Sequence, residues 1–332
     1  MPFEKSVVLP LQAGDAFALI TEPDRLRRWM TVAARVDLRA GGEYRWTVTP
    51  GHVAAGTFVE VDPGRRVVFS WGWELGGDPL PSESTVAITL APVADGTEVH
   101  VVHDELTEEQ AARHAEGWNH YLDRLVIAGR SGDAGPDDWS AVPDQIDELS
   151  SAEATLAVLQ NVLRGTDAAD LAKPTPCTEF SVSQLLEHLL GSITAIGEAA
   201  GAQIPARAAD APCETQVADA AQVALEAWRR RGVQGMVPRG SSEMPAAIMA
   251  GVMSLEFLVH AWDFATATGR DVVVSEPVCD YVLELAGKAI TPQARSFAGF
   301  ADAVDAAPGA AVLDRLVAFT GRQPTTTLAS AG

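Results

Sequence analysis

Cysteine is scarce in this 332-residue chain: three residues, Cys177, Cys213 and Cys279, with no CxxC spacing and an odd count. That excludes a disulfide framework and a structural zinc finger. Basic residues are also few, with 24 Lys and Arg against 45 Asp and Glu, a net charge of −21. The deficit runs through the whole chain: −7 over residues 1–130 (12 basic, 19 acidic) and −14 over 131–332 (12 basic, 26 acidic). Such a surface repels phosphate backbones and anionic lipid, so neither nucleic acid nor membrane is an expected partner. No run of about 18 uninterrupted apolar residues is present to span a bilayer. The opening residues lack a basic stretch followed by an apolar one, so no signal peptide is expected and the cytoplasm is the expected location. Aromatics are only 6% of a chain that is 47% hydrophobic, which describes a globular protein rich in alanine and valine. Its length suits two domains.

The first 130 residues read as strands with two helices. Phe3 to Leu11 alternates, and Ala13 to Met30 carries helical apolar spacing at Phe17, Ile20, Leu26 and Trp29. Strands follow at 43–49, 53–61 and 67–74, the last two joined by the turn Asp62-Pro-Gly-Arg65. A further pair, 85–90 and 97–103, turns at Ala94-Asp-Gly96. A helix over about 107–128 closes the unit, with Ala111, Ala115, Trp118, Leu122 and Leu125 on one face. Residues 131–148 begin with a Gly-, Pro- and Asp-rich stretch and read as a linker. Helices then follow at about 151–164, 182–200, 218–231, 244–268, 277–290 and 310–320. Ser181 and Gln184 fit a capping box, and Gly269 fits a helix stop.

Strands around a long terminal helix suggest an antiparallel sheet gripping that helix, with an interior able to take a ligand. Period two puts Phe69, Trp71 and Trp73 on one face, and Val99, Val101 and His103 on one face of their own strand. Trp29, Trp46 and Trp118 add apolar bulk, so these seven residues — Trp29, Trp46, Phe69, Trp71, Trp73, His103 and Trp118 — are the candidate cavity lining. The same aromatics could equally just fill a core.

In the second half, Glu256 and His260 stand four apart in an otherwise apolar helix, on one face. A carboxylate there is costly to bury without compensation, and a divalent metal is one compensating partner. His188, on a separate helix, supplies a third donor, and three protein ligands with one open position describe a catalytic zinc site. Asp263, three residues past His260, could orient an imidazole. By spacing alone a solvated polar face remains open. Two further features have competing readings. Cys177 precedes a helix, where a thiolate is favoured, or is a small turn residue. Arg229, Arg230 and Arg231 could bind an anion or form a solvated helix end.

Residues 1–130 resemble the START-like (SRPBCC) superfamily, specifically the homologues of the heat-shock-protein ATPase activator. The resemblance lies in Asp24-Arg-Leu-Arg-Arg-Trp29, Ala40-Gly-Gly-Glu-Tyr44, the run Val61 to Trp71, Gly96 to His103, and His114-Ala-Glu-Gly-Trp118. It implies a helix-grip fold that binds apolar ligands, with no residue carried over as catalytic. Residues 149–325 resemble the DinB-like superfamily, in the branch with mycothiol-dependent maleylpyruvate isomerase. The matching stretches are Pro174-Thr-Pro-Cys177, Ser181 to Leu189, Glu256 to Gly269, and Leu313 to Pro324, with Phe180 where the family usually has tryptophan. This resemblance implies a four-helix bundle with a metal triad that falls on His188, Glu256 and His260.

The expected fold is therefore α+β followed by all-α: a helix-grip sheet over 1–130, then a DinB-like bundle with extra C-terminal helices over 149–328. The expected function is metal-dependent chemistry on a small, apolar molecule held or delivered by the START-like cavity. Thiol transfer or isomerisation leads, with a hydrolase also in view. Zinc is the expected divalent ion, and a low-molecular-weight thiol such as mycothiol the implied co-reactant. The alternative is a ligand-binding or sequestering protein in which the metal is structural or vestigial.

Overall fold

The computed structural model describes all residues except 1, 75, 178, 207, 209, 241, 294, 296–299 and 325–332. The chain divides into two compact units, Met1–Asp137 and Asp138–Gly332. The first is α+β and the second all-α apart from one small hairpin.

In the first unit, β1 (Phe3–Leu9), β2 (Ala33–Val36), β3 (Glu43–Thr49), β4 (His52–Asp62), β5 (Arg66–Trp71), β6 (Ser84–Val93) and β7 (Gly96–Asp104) form one antiparallel sheet. Its order is β1-β7-β6-β5-β4-β3-β2. The sequence did not announce β2, a four-residue edge strand whose pattern is too short to show a period. Between β1 and β2 the expected single helix is two, α1 (Ala13–Thr21) and α2 (Pro23–Leu26). Pro23 cannot donate into a continuing helix and pushes Glu22 extended, at φ −84 and ψ 131. Helix α3 (Glu108–Ser131) begins at a Thr107/Gln110 capping box and stops at Gly132, which takes a left-handed φ of 85°. Its buried stripe, His114, Trp118, Tyr121, Leu122, Leu125, Ala128 and Gly129, packs against the sheet, where β1 is its main contact.

Of the stretch read as linker, residues up to Asp137 are tied to the first unit. The Arg124 guanidinium donates to the carbonyls of Trp29, Gly135 and Pro136, and His120 Nε2 lies 2.9 Å from Asp137 Oδ1. The expected end of the second domain, 328, lies outside the described residues.

The second unit is built on α4 (Glu148–Leu163), α5 (Val182–Ala199), α6 (Cys213–Arg231) and α7 (Ala246–Thr268). Helix α7 packs on α4 and α5, and α6 completes the four by packing on α4 and α5. A hairpin, β8 (Met236–Arg239) with β9 (Ser242–Pro245), precedes α7, so Met244 lies in a strand rather than in the helix expected there. Pro245 is the residue at which α7 starts. Helices α8 (Glu276–Ala289) and α9 (Val312–Phe319) add to the outside of the bundle against α7. Helix α7 has the length and apolar composition of a membrane span, but 78% of its most apolar window is buried inside the protein, as for a core helix.

Candidate metal centre

Helix α5 carries His188 and starts at Ser181, whose hydroxyl accepts from Gln184 N while the Gln184 amide oxygen accepts from Ser181 N. Helix α7 carries Glu256 and His260 one turn apart and stops at Gly269, φ 73°. Packing of α5 on α7 brings one donor atom of each of these three residues within 4.8 Å of the others. His260 Nε2 lies 3.5 Å and His188 Nε2 3.8 Å from Glu256 Oε2. The two imidazole rings meet edge to face with centroids 5.3 Å apart. His260 is buried, Glu256 nearly so, and His188 has 40% of its side chain exposed, so the cluster opens to solvent on the α5 side.

His260 Nδ1 lies 2.9 Å from Asp263 Oδ2, a carboxylate that can only accept, so this nitrogen carries the proton. In neutral His260 the Nε2 lone pair then faces Glu256 Oε2, and that oxygen is buried without a hydrogen-bond partner. Two electron-pair donors set face to face with a third imidazole beside them call for a cation between them. Two imidazoles and one carboxylate are a donor set that suits zinc. The residues therefore fit a divalent metal.

Without an ion, charge coupling takes its place. Burial opposes protonation of His260, but Asp263 and Glu256 outweigh it and raise its pKa to about 9. Burial also works to raise the Glu256 carboxyl, which the adjacent imidazoles, His260 foremost, hold below its ordinary range. His188 is lowered, chiefly by burial.

Sequence reasoning missed Arg322. Its Nε donates to Asp263 Oδ1 at 2.8 Å and its Nη2 to Oδ2 at 2.7 Å, both groups buried. The chain thus runs Arg322–Asp263–His260, which fixes the imidazole's tautomer and neutralises the carboxylate that orients it. Arg322 follows α9 and lies 62 positions from His260. No local spacing could have paired them. Its only sequence signal was its place in the stretch Leu313 to Pro324.

The loop before α5 also reaches this site. The Phe180 ring stacks on His188, centroids 5.2 Å apart at 26°. Cys177 is half-buried, and burial raises its thiol pKa. The thiolate reading is corrected on that ground: Ser181, not Cys177, caps the helix, so the thiol lies outside the first turn. The three arginines, read as either an anion site or a helix end, each have partners within the protein. Arg229 pairs with buried Glu153, Arg230 with Glu226, and Arg231 donates to the carbonyls of Gly232, Gln234 and Met236.

In the first unit, the expected lining residues Trp29, Trp46, Phe69, Trp71, His103 and Trp118 are all buried, and Trp73 partly so. The pleat assignments of Phe69, Trp71 and His103 agree with this. Trp71 is the hub of the cluster, with ring centroids 6.1 Å from Trp46, 5.4 Å from Trp73, 5.9 Å from His103 and 5.9 Å from Trp118. Trp118 Nε1 donates to His103 Nδ1, whose Nε2 lies 2.9 Å from Ser84 Oγ, and Ser84 donates on to Trp71 O. The pattern assigns a neutral His103, and burial, with His114 nearby, lowers its pKa to about 3.

Residues 11–128 match the family described as Activator of Hsp90 ATPase homolog 1-like protein, and residues 152–265 match the mycothiol maleylpyruvate isomerase N-terminal domain. The chain is a fusion of these two families. An uncharacterized protein of Mycobacterium tuberculosis, from strains CDC 1551 and H37Rv, is 32% identical over 176 residues, covering 51% of this chain and 92% of the relative. The solution structure of an AHSA1-like protein from Rhizobium etli is 35% identical, with a TM-score of 0.36, covering 44% of this chain and 91% of that one. DynU16, a protein of the dynemicin biosynthetic locus, is 20% identical with a TM-score of 0.38, covering 44% of this chain. The chain spans 55% of its length. Within the isomerase-type domain lie His188, Glu256, His260 and Asp263, while Arg322 lies beyond the matched residues.

Proposed function

We propose that His188, Glu256 and His260 hold a divalent metal, zinc by donor set, and that the protein performs metal-dependent chemistry on a small apolar molecule. Thiol-dependent transfer or isomerisation is the reaction class the isomerase-type domain supports best. When bound, the ion would supply Lewis acidity, holding a thiol or water in its deprotonated form near neutral pH. The observation that carries this reading is the convergence of one donor atom each from His188, Glu256 and His260 to within 4.8 Å, around a Glu256 Oε2 that is buried without a hydrogen-bond partner.

The protein's own groups have clear parts. Glu256 and His260 come preset by one turn of α7, and Asp263 with Arg322 holds His260 in the tautomer that presents Nε2. His188, the most exposed of the three, marks the side from which a thiol and substrate would arrive. The START-like unit binds or delivers the apolar molecule.

The test is calorimetric titration of the zinc-loaded protein with mycothiol. Binding with release of a proton at neutral pH, lost in His260→Ala, is expected. Stoichiometric zinc with no thiol binding and no turnover would move the function to the non-catalytic, sequestering class.

A further inference from the structure

The first unit contains five interior tryptophans, and three have partners for their indole N–H groups. Trp29 donates to Leu19 O, Trp73 to His114 Nε2 and Trp118 to His103 Nδ1. The other two, Trp46 and Trp71, are buried with unpartnered Nε1 atoms. They are neighbours in one buried aromatic cluster, ring centroids 6.1 Å apart at 64°. Buried donors in native proteins are nearly always satisfied, so two adjacent orphans ask for an acceptor.

The surroundings narrow what that acceptor is. The cross-strand neighbours of Trp46 are Ala34 and Ala54, which leave small side chains on both sides of its ring. Tyr44, Phe69, Trp73 and Trp118 supply aromatic faces around the pair. His103 and His114 are both partnered and both held towards the neutral form, and Arg45 is engaged with Glu74. Among these described residues, then, the histidines are held neutral and the arginine already has its carboxylate, which favours an uncharged ligand, and an apolar molecule without an acceptor would leave both indoles unmatched.

We propose that the N-terminal unit binds a neutral, flat, apolar molecule bearing a hydrogen-bond-accepting oxygen, held by the Trp46 and Trp71 indoles. This rests on the reading that the START-like interior receives the small molecule, and adds the acceptor that selects among such molecules. A site built on hydrogen bonds rejects the isostere lacking the acceptor far more strongly than it rejects a change of size.

The experiment compares 9-fluorenone with fluorene, near-isosteres differing in one carbonyl oxygen, on the full chain labelled with 15N-tryptophan. Fluorenone is expected to bind at least tenfold more tightly. It should move two indole N–H signals downfield, those missing from Trp46→Phe and Trp71→Phe, while the Trp29 and Trp228 signals stay in place. The ligand comparison itself needs no variant, so it stands even if a tryptophan variant fails to fold. Equal affinity for both compounds without downfield shifts would overturn the acceptor and leave apolar binding standing. Failure of both to bind would overturn the acceptor and the cavity reading together.

Discussion

Arg322 and Asp263, 59 residues apart, form a bidentate ion pair inside the second unit, at 2.8 and 2.7 Å, and the same carboxylate orients His260. Removing one partner of such a pair strands the other charge, so its effect should exceed that of losing a surface contact.

Arg322→Gln is expected to destabilise the second unit by about 3–5 kcal/mol, because Asp263 keeps its burial and loses its counter-charge. Metal affinity should fall about 10–100-fold, since the imidazole loses its support. Denaturant unfolding and chelator competition measure the two effects separately. An Arg322→Gln protein with unchanged stability and unchanged metal affinity would show that the pair supports neither.

The first unit should weaken in mild acid. His103 has a folded pKa of about 3, below the ordinary value of 6.5, so the unfolded chain binds more protons between those limits. Stability is then fully present above about pH 6.5 and is lost as pH falls towards 3. The loss should be about 2 kcal/mol between pH 7.5 and 5, before most carboxylates titrate. His103→Gln should flatten that slope. An equally steep slope in the variant would assign the acid sensitivity elsewhere.

Ser181 caps the helix that carries His188. Ser181→Ala should cost about 1 kcal/mol of second-unit stability. Ser181→Asp, which keeps an acceptor and suits the positive helix end, should restore it. Thermal unfolding reads both; an alanine variant as stable as the parent would mean the cap contributes nothing.

How much of this was legible before the structure follows from where each residue's partner lies in the chain. Glu256, His260 and Asp263 sit within two turns of one helix, so spacing alone put them on one face, and the Gly269 stop after them was readable from the local sequence as well. His188 could be offered as a third donor from its residue type and separate helix, but no local rule says which face of α5 meets α7, so its placement beside Glu256 rested on the family resemblance until the structure. Arg322 stood in a matching stretch but its role had no local signal, since its contact with Asp263 is made across 59 positions of chain. In the first unit the period-two faces of β5 and β7 were readable, but β2 was too short to register and Pro23 divided a helix whose apolar spacing ran straight through it. Which indoles find partners depends on tertiary hydrogen bonds, so the contrast between Trp118 and Trp46 could not be read from sequence.

The most direct test of the central claim is native mass spectrometry with elemental analysis of the purified full chain, beside Glu256→Gln and His260→Ala. The account predicts one divalent ion per chain in the parent, zinc by preference, and none in either variant with the fold intact. A parent protein without stoichiometric metal after incubation with zinc, or a His260→Ala variant that keeps its full complement, would contradict it.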